Sequence, residues 1–208
     1  MKLLVLGGTG GTGRHVVTQA LETGHDVTVL ARDRAKAGVQ HERFRLVDGD
    51  VKNTATLGDA MRGQDVVISA IGRGKSLRSE HLIAETVPRI IAAMRENGVK
   101  RLIFTSALGV GETFRDCPLP LKIFIRTLLR GIYADKIIGD EIIRSSGLDW
   151  TIAQPAVLTD GPLTKSYRVG EHLPLAGMAA VSRADTAHFI VEHINDRSSF
   201  GKTLVVAN

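Results

Sequence analysis

The segment Gly7-Gly8-Thr9-Gly10-Gly11-Thr12-Gly13 constrains this chain more than any other stretch. It follows the apolar run Leu3–Leu6 and precedes Val16, Val17, Ala20 and Leu21, which fall on one face of a helix that Gly24 closes. A strand, a glycine turn and a helix in that order place free backbone N–H groups and the positive end of the helix dipole where a phosphate binds. Gly10 lets backbone approach a pyrophosphate, and Gly13 lets the helix pack closely on the strand. Gly7 and Gly11 belong to the same turn, and Thr9 and Thr12 add hydroxyl donors. A tight turn without a ligand is the bland alternative; five glycines in seven positions argue against it.

The rest of the chain alternates β-branched runs with helical periods, the pattern of a parallel sheet covered by helices. Strands are expected at Leu3–Leu6, Val27–Leu30, Phe44–Val47, Val66–Ile71, Leu102–Thr105, Trp150–Ala153 and Leu204–Val206. Asn53 suits the cap of a short helix ending near Gly63, and Ser182 with Asp185 suits a capping-box variant. Leu82, Ile83, Val87, Ile90, Ile91 and Met94 mark a helix that Pro88 should kink. A long helical tract ends near Gly147, and within it Leu119–Tyr133 mixes apolar residues with Lys122, Arg126 and Arg130. That tract reads first as a helix packed on the sheet edge, with a pocket cover, a subunit contact or an acidic surface as alternatives. The expectation is a doubly wound α/β domain spanning residues 1–208, its substrate pocket built by the C-terminal segments.

Composition narrows the function classes. The chain has 208 residues, 43% hydrophobic and 24% charged, ordinary for a globular domain, and no run near the ~20 apolar residues of a membrane span. The N-terminal Met1–Leu6 runs straight into glycines rather than a cleavage site, so it reads as a core strand. Cys117 is the sole cysteine and has no internal partner, which suits a reducing cytoplasm; beside Pro118 it reads as a passive thiol. The net charge of +5 invites nucleic acid, but one Trp and two Tyr offer no stacking platforms. A phosphorylated cofactor is the more economical partner for basic clusters near the glycine turn.

Cofactor choice is read at the end of the second strand, where Asp or Glu binds the ribose 2′-hydroxyl of NAD. Here, 19 residues after Gly13, the strand ends Leu30-Ala31-Arg32. A guanidinium offers a planar fork to a 2′-phosphate. Arg34 and Lys36 supplement it, while the neighbouring Asp33 points elsewhere in an extended stretch. NADPH is therefore expected over NADH, the alternative being a solvated Arg32.

With these residues in view, the chain resembles the NAD(P)H-binding, NmrA-like atypical short-chain dehydrogenases, and among them the biliverdin and flavin reductases. Gly7–Gly13, Val27–Asp33, Gly49-Asp50-Val51, Thr105-Ser106-Ala107, Ser146-Gly147-Leu148 and Gly161–Thr164 carry the likeness by their order and spacing. The resemblance implies a Rossmann-type fold with Thr9, Gly10, Gly11, Thr12 and Gly13 on the pyrophosphate. It places Arg32 and Lys36 at the 2′-phosphate, Asp50 and Val51 at the adenine, and Ile71, Gly72 and Arg73 along the path to the nicotinamide ribose. Thr105 and Pro155 are further implied cofactor contacts, and Ser106 corresponds to a serine beside the nicotinamide. The bland alternative for Ser106 is a hydroxyl that only satisfies nearby backbone.

Two departures qualify the resemblance. The histidine that follows the proline of the active-site strand is replaced in Pro155-Ala156, and a second active-site histidine falls at Lys136. An amine there resembles the lysine that relatives hold near the nicotinamide ribose, with a helix-surface lysine as the alternative. The superfamily's Tyr-x-x-x-Lys pair is also missing: Tyr133 and Lys136 are three apart, and Tyr167 has Glu171 four on. Reduction of a flavin, quinone or conjugated tetrapyrrole is thus expected rather than ketone–alcohol interconversion. No metal is expected, since His188 and His193 are five apart and the other histidines are scattered. A non-catalytic NADP sensor is the rival reading, and a homo-oligomer is left open.

Overall fold

The computed structural model describes residues 1–36, 38–72, 74, 81–175 and 177–208. In chain order the elements are β1 (Lys2–Leu6), α1 (Gly11–Glu22), β2 (Asp26–Ala31), β3 (Phe44–Asp48), α2 (Thr54–Met61), β4 (Val66–Ser69), α3 (Leu82–Glu96) and β5 (Arg101–Thr105). They continue as α4 (Leu119–Thr127), α5 (Arg130–Arg144), β6 (Asp149–Pro155), β7 (Val157–Thr159), β8 (Arg168–Gly170), β9 (Ala180–Ser182), α6 (Arg183–Glu192) and β10 (Lys202–Ala207).

Eight strands form one sheet in the order β3-β2-β1-β4-β5-β6-β10-β8, parallel except for β8 against β10. Every residue of β4 and β5 is buried, as a sheet covered on both faces requires. Alternation sends Leu3, Val5, Ile68 and Ile103 toward the layer of Val16, Val17, Ala187 and Ile190. Leu4, Leu6, Val67, Leu102 and Phe104 face Leu57, Met61, Ile90 and Met94 in the opposite layer. Leu6 pairs with Leu30 on one side and Ser69 on the other, so the strand order reverses at β1 and the carboxyl ends of β1 and β4 open a crevice.

All seven expected strands form, and both expected caps are present. Asn53 accepts from the N–H groups of Ala55 and Thr56, and Ser182 Oγ from that of Asp185 at 2.8 Å. The helix α3 includes Pro88 within its span. Three details differ from the sequence reading. The fourth strand ends at Ser69, which releases Ala70, Ile71 and Gly72 into the loop lining the crevice. The three-residue strands β7, β8 and β9 were invisible to periodicity because they are too short to show one. The tract Leu119–Tyr133 is two helices: Leu121 and Ile125 pack inward as expected, whereas Leu119 is 70% exposed and Ile123, Phe124 and Leu128 also face outward.

Burial pushes the Cys117 thiol up to about 11, in line with a passive residue. Among the described residues no helix is long and apolar enough to cross a membrane, and no group of three or more His, Cys, Asp or Glu could hold a metal ion.

Candidate active site

The glycine turn is set by contacts that forbid side chains. Gly7 has φ +79°, and a Cβ there would meet Ala70 O at 2.6 Å. At Gly13 a Cβ would run into the Gly7 carbonyl and lie 2.8 Å from Gly8 Cα, so α1 rests directly on the turn. Gly10 N donates to Gly7 O at 2.9 Å, and Gly10 precedes α1 as a cap without a side chain, leaving the first-turn amides to a ligand or water. Val29 and Arg183 pack against this turn, contacts that the sequence did not mark: a Cβ at Gly8 would meet Val29, and one at Gly11 would meet the Arg183 side chain at 2.8 Å. Arg183 is itself held by Asp160 at 2.6 Å.

A cleft of about 520 Å³ opens over the turn. Gly7, Thr9, Gly10, Arg32, Asp50, Val51, Ile71 and Gly72 line it, together with Leu30, Gly49, Lys52 and Leu82. Gly11, Thr12 and Gly13 stand behind it in the first turn of α1. Arg73 and the Lys36 side chain lie outside the described residues. Arg32 is 80% exposed and its Nη1 stands 3.9 Å from Asp50 Oδ2. A pair so exposed is worth under about 1 kcal/mol and is easily exchanged for a more highly charged partner. Asp33 accepts from Ala35 N at 3.1 Å, turned onto its own loop as expected.

The residues present fit a dinucleotide. The cradle at Gly7 and Gly13 is one a Cβ would fill, an arginine stands where a 2′-phosphate is read, and two buried hydroxyls are orphaned at neighbouring strand ends. These are Ser69 Oγ on β4 and Thr105 Oγ1 on β5, neither with a hydrogen-bond partner.

Ser106 and Lys136 do not line that cleft; they belong to a second group beside it. Ser106 directly follows β5 and is 5% exposed, with Ser69 of β4 in register with Phe104 of β5. Its hydroxyl donates to Asp140 Oδ2 at 3.0 Å. Lys136 is half-buried one helical turn before Asp140, not a surface lysine. Burial holds its ammonium below the ordinary range, against the opposing pull of Asp140 and Asp135. Asp135 caps the neighbouring helix α3 by accepting from Ile83 N and Ala84 N at 3.0 and 2.8 Å. Pro155 ends β6 and is buried, and its carbonyl accepts from Leu108 N at 3.0 Å.

The sequence reading missed Asp140, Asp135 and Gln154. The available signal was Lys136 and Asp140 four apart, which one helix brings to the same face, with Asp135 next to Lys136. Tyr133 donates to Leu108 O at 2.9 Å, and burial drives its phenol far above the ordinary range. Its hydroxyl is committed to the backbone. Behind Gly161, Asp185 fastens the C-terminal loop by accepting from Thr164 N, Lys165 N and Thr164 Oγ1, each at 2.8 Å. His188 Nδ1 meets Tyr167 OH at 2.7 Å on the same loop.

The chain is similar to proteins known from sequence and structure. A Rossmann-fold NAD(P)-binding family protein from Shigella flexneri is 30% identical, superposes with a TM-score of 0.75, and covers 99% of this chain and 92% of its own. The Photosystem II assembly factor Ycf39 of Synechocystis is 29% identical over 99% of this chain, which spans 62% of the length of that relative. Isoflavone reductase of Glycine max is 26% identical over 98% of this chain and 69% of its own. The family model described as NAD(P)H-binding matches residues 7–197, and with the glycine cradle, the strand reversal and the cleft it establishes that this chain is a Rossmann-fold member of the NAD(P)H-binding, NmrA-like family.

Proposed function

We propose that this protein is an NADPH-dependent reductase that passes a hydride to a planar, electron-poor small molecule of the flavin, quinone or tetrapyrrole class. The observation that carries the reading is the cleft running from the glycine turn to an exposed Arg32, with no carboxylate at the position of that arginine. The turn and the first amides of α1 would hold the pyrophosphate, and Arg32 the 2′-phosphate. Asp50 and Val51 would flank the adenine, and Ile71, Gly72, Thr105 and Pro155 would border the remainder. The reduced nicotinamide supplies the hydride when bound.

The protein's own part is orientation and proton control. Ser106, at the carboxyl end of β5, would orient the acceptor, and Lys136, whose ammonium burial holds below its ordinary range, would assist in proton control. The loop from Gly161 to Tyr167, fastened by Asp185, would wall the acceptor pocket. Tyr133 is tied to Leu108 O and Tyr167 OH meets His188 Nδ1, and neither has a lysine four positions on, so ketone reduction is not expected of them.

The test is NADPH oxidation by the purified protein with FMN, menadione, biliverdin and a simple aliphatic ketone. Turnover of at least one planar acceptor and none of the ketone is expected; ketone turnover without the others overturns the reading. The absent histidine at Ala156 favours a second reading, an NADP sensor without catalysis. Tight NADPH binding with no turnover of any acceptor would decide for it.

A further inference from the structure

Among the described residues, Asp140 is a buried carboxyl whose burial most needs a reason. It has 0% exposure, and its Oδ1 has no hydrogen-bond partner. Its Oδ2 receives Ser106 Oγ at 3.0 Å and Gln154 Nε2 at 3.3 Å. The Gln154 amide is itself fixed: Nε2 also donates to Val110 O at 3.0 Å, and Oε1 accepts from Thr113 Oγ1 at 2.5 Å. Thr113 Oγ1 in turn accepts from Gly109 N at 3.0 Å. This chain of bonds runs from a backbone loop through β6 to the carboxyl and holds it behind Ser106. A structural anchor for a serine needs no charge, and a buried carboxyl with one unpaired oxygen is costly to hold for that purpose alone.

We propose that Asp140 is the proton-holding partner of Ser106, and that its protonation decides whether the Ser106 hydroxyl donates outward to the acceptor or back into the protein. The proposal rests on the reductase reading for its purpose and on this geometry for its existence. With Asp140 ionised, the Ser106 hydrogen is drawn to Oδ2 and the serine can only accept. With Oδ2 protonated, Asp140 donates to Ser106 Oγ and the serine hydrogen is released toward the site.

The balance closes. The acceptor gains an electron pair and one hydrogen as hydride from a dihydronicotinamide and still needs a proton. Ser106 Oγ–H breaks as that proton bonds to the reduced acceptor, and Asp140 Oδ2–H breaks as its proton restores the serine. The carboxylate is reprotonated from solvent after product leaves. Asp140 is thereby a positioning and proton-storing residue acting through Ser106.

The groups around Asp140 are compatible with this role. Lys136 and Arg144 face it from its own helix α5, Ser106 from the end of β5 and Gln154 from β6. From α3, Ile83 and Val87 pack against the adjacent Gly139 and bring no titratable group. Burial raises the carboxyl to about 6, against the lowering effects of Lys136, Ser106, Arg144 and Gln154. Both protonation states are therefore accessible near neutral pH.

Two measurements test the pair, one of them independent of any activity. In the ligand-free protein with carboxyl-labelled aspartate, the resonance lost in Asp140→Asn identifies Asp140, and its titration is followed by NMR. Its midpoint should move upward by several tenths of a pH unit in Ser106→Ala, because a hydrogen bond that favours the carboxylate is gone. Ser106→Thr, which keeps the hydroxyl, should restore the native midpoint. An unchanged midpoint in Ser106→Ala overturns the proposal. In the second measurement, NADPH-to-FMN turnover should fall with rising pH above the Asp140 midpoint, approaching tenfold per pH unit. Asp140→Asn, whose amide donates to Ser106 at every pH, should flatten that profile; a variant that keeps the native slope also overturns the proposal. Absence of turnover with any acceptor would remove the reductase reading, while the NMR titration would still decide whether Asp140 and Ser106 share a proton.

Discussion

The glycine turn and the α5 cluster stand at the same edge of the sheet and are built on opposite principles. At the turn, the geometry rests on what side chains are absent: Gly7 and Gly13 let backbone touch backbone, and the first-turn amides of α1 have no side-chain cap. At α5, the cluster is made of side chains that are costly to bury: Lys136, Asp135 and Asp140 within six consecutive residues of one helix, with Asp135 on the start of α3 and Asp140 on Ser106. A backbone site tolerates no added atom but is indifferent to pH. A buried-charge site tolerates changes of shape that keep its hydrogen bonds, and pH governs it.

The largest effect should come from adding one methyl group at the turn. Gly13→Ala has no room because the clash is with backbone rather than with a flexible side chain. The expected loss is at least ~3 kcal/mol. That is on the order of 10 °C in melting temperature for a domain of this size, seen by calorimetry, with NADPH binding abolished. A native-like Tm in this variant would mean that the turn can relax, and the contrast with α5 would be lost.

Asp140→Asn should run the other way. A carboxyl whose folded-state value is raised from 3.8 to about 6 binds protons more strongly when folded, so stability falls as pH rises through that window and stays low above it. Replacing it by a neutral amide removes that loss. The variant should match the native protein near pH 3.5 and exceed it by roughly 2–3 kcal/mol at pH 8, measured by urea unfolding at both values. A difference independent of pH would show that Asp140 acts by shape alone.

The smallest effect concerns the rim of the cleft. Arg32→Asp should remove at least a tenfold preference for NADPH over NADH, about 1.4 kcal/mol, by calorimetric titration with both nucleotides. Stability should be almost unchanged, because the Arg32–Asp50 pair is exposed. Equal affinities in the native protein would assign Arg32 to solvent and leave cofactor choice to other residues.

The two regions also differed in how far they could be read in advance. The turn was legible because its function follows from consecutive residues: a strand, five glycines and a helix specify one local geometry wherever they occur. The Arg32 position was legible for the same reason, at a fixed distance along a βαβ unit. Ser106 was placed correctly at the end of β5, but its partner was not, since Asp140 lies 34 residues further along and reaches it only because α5 packs on that face of the sheet. The same holds for Asp135 on the start of α3, 51 and 52 residues away, and for Gln154, whose amide carries the network from β6.

What the sequence determined by itself is the set of local commitments: which segments are strands and helices, where they are capped, and where a phosphate can meet backbone amides. Those depend on conformational preference and periodicity, which act over a few residues. Only the tertiary structure decided that α4 keeps Leu119, Ile123, Phe124 and Leu128 outside, that Tyr133 is spent on Leu108 O, and that Asp140 is buried behind Ser106 with one oxygen unpaired. Exposure and protonation are properties of the surroundings: the same carboxyl is ordinary in water and well above its usual range when the sheet, α3 and α5 close around it.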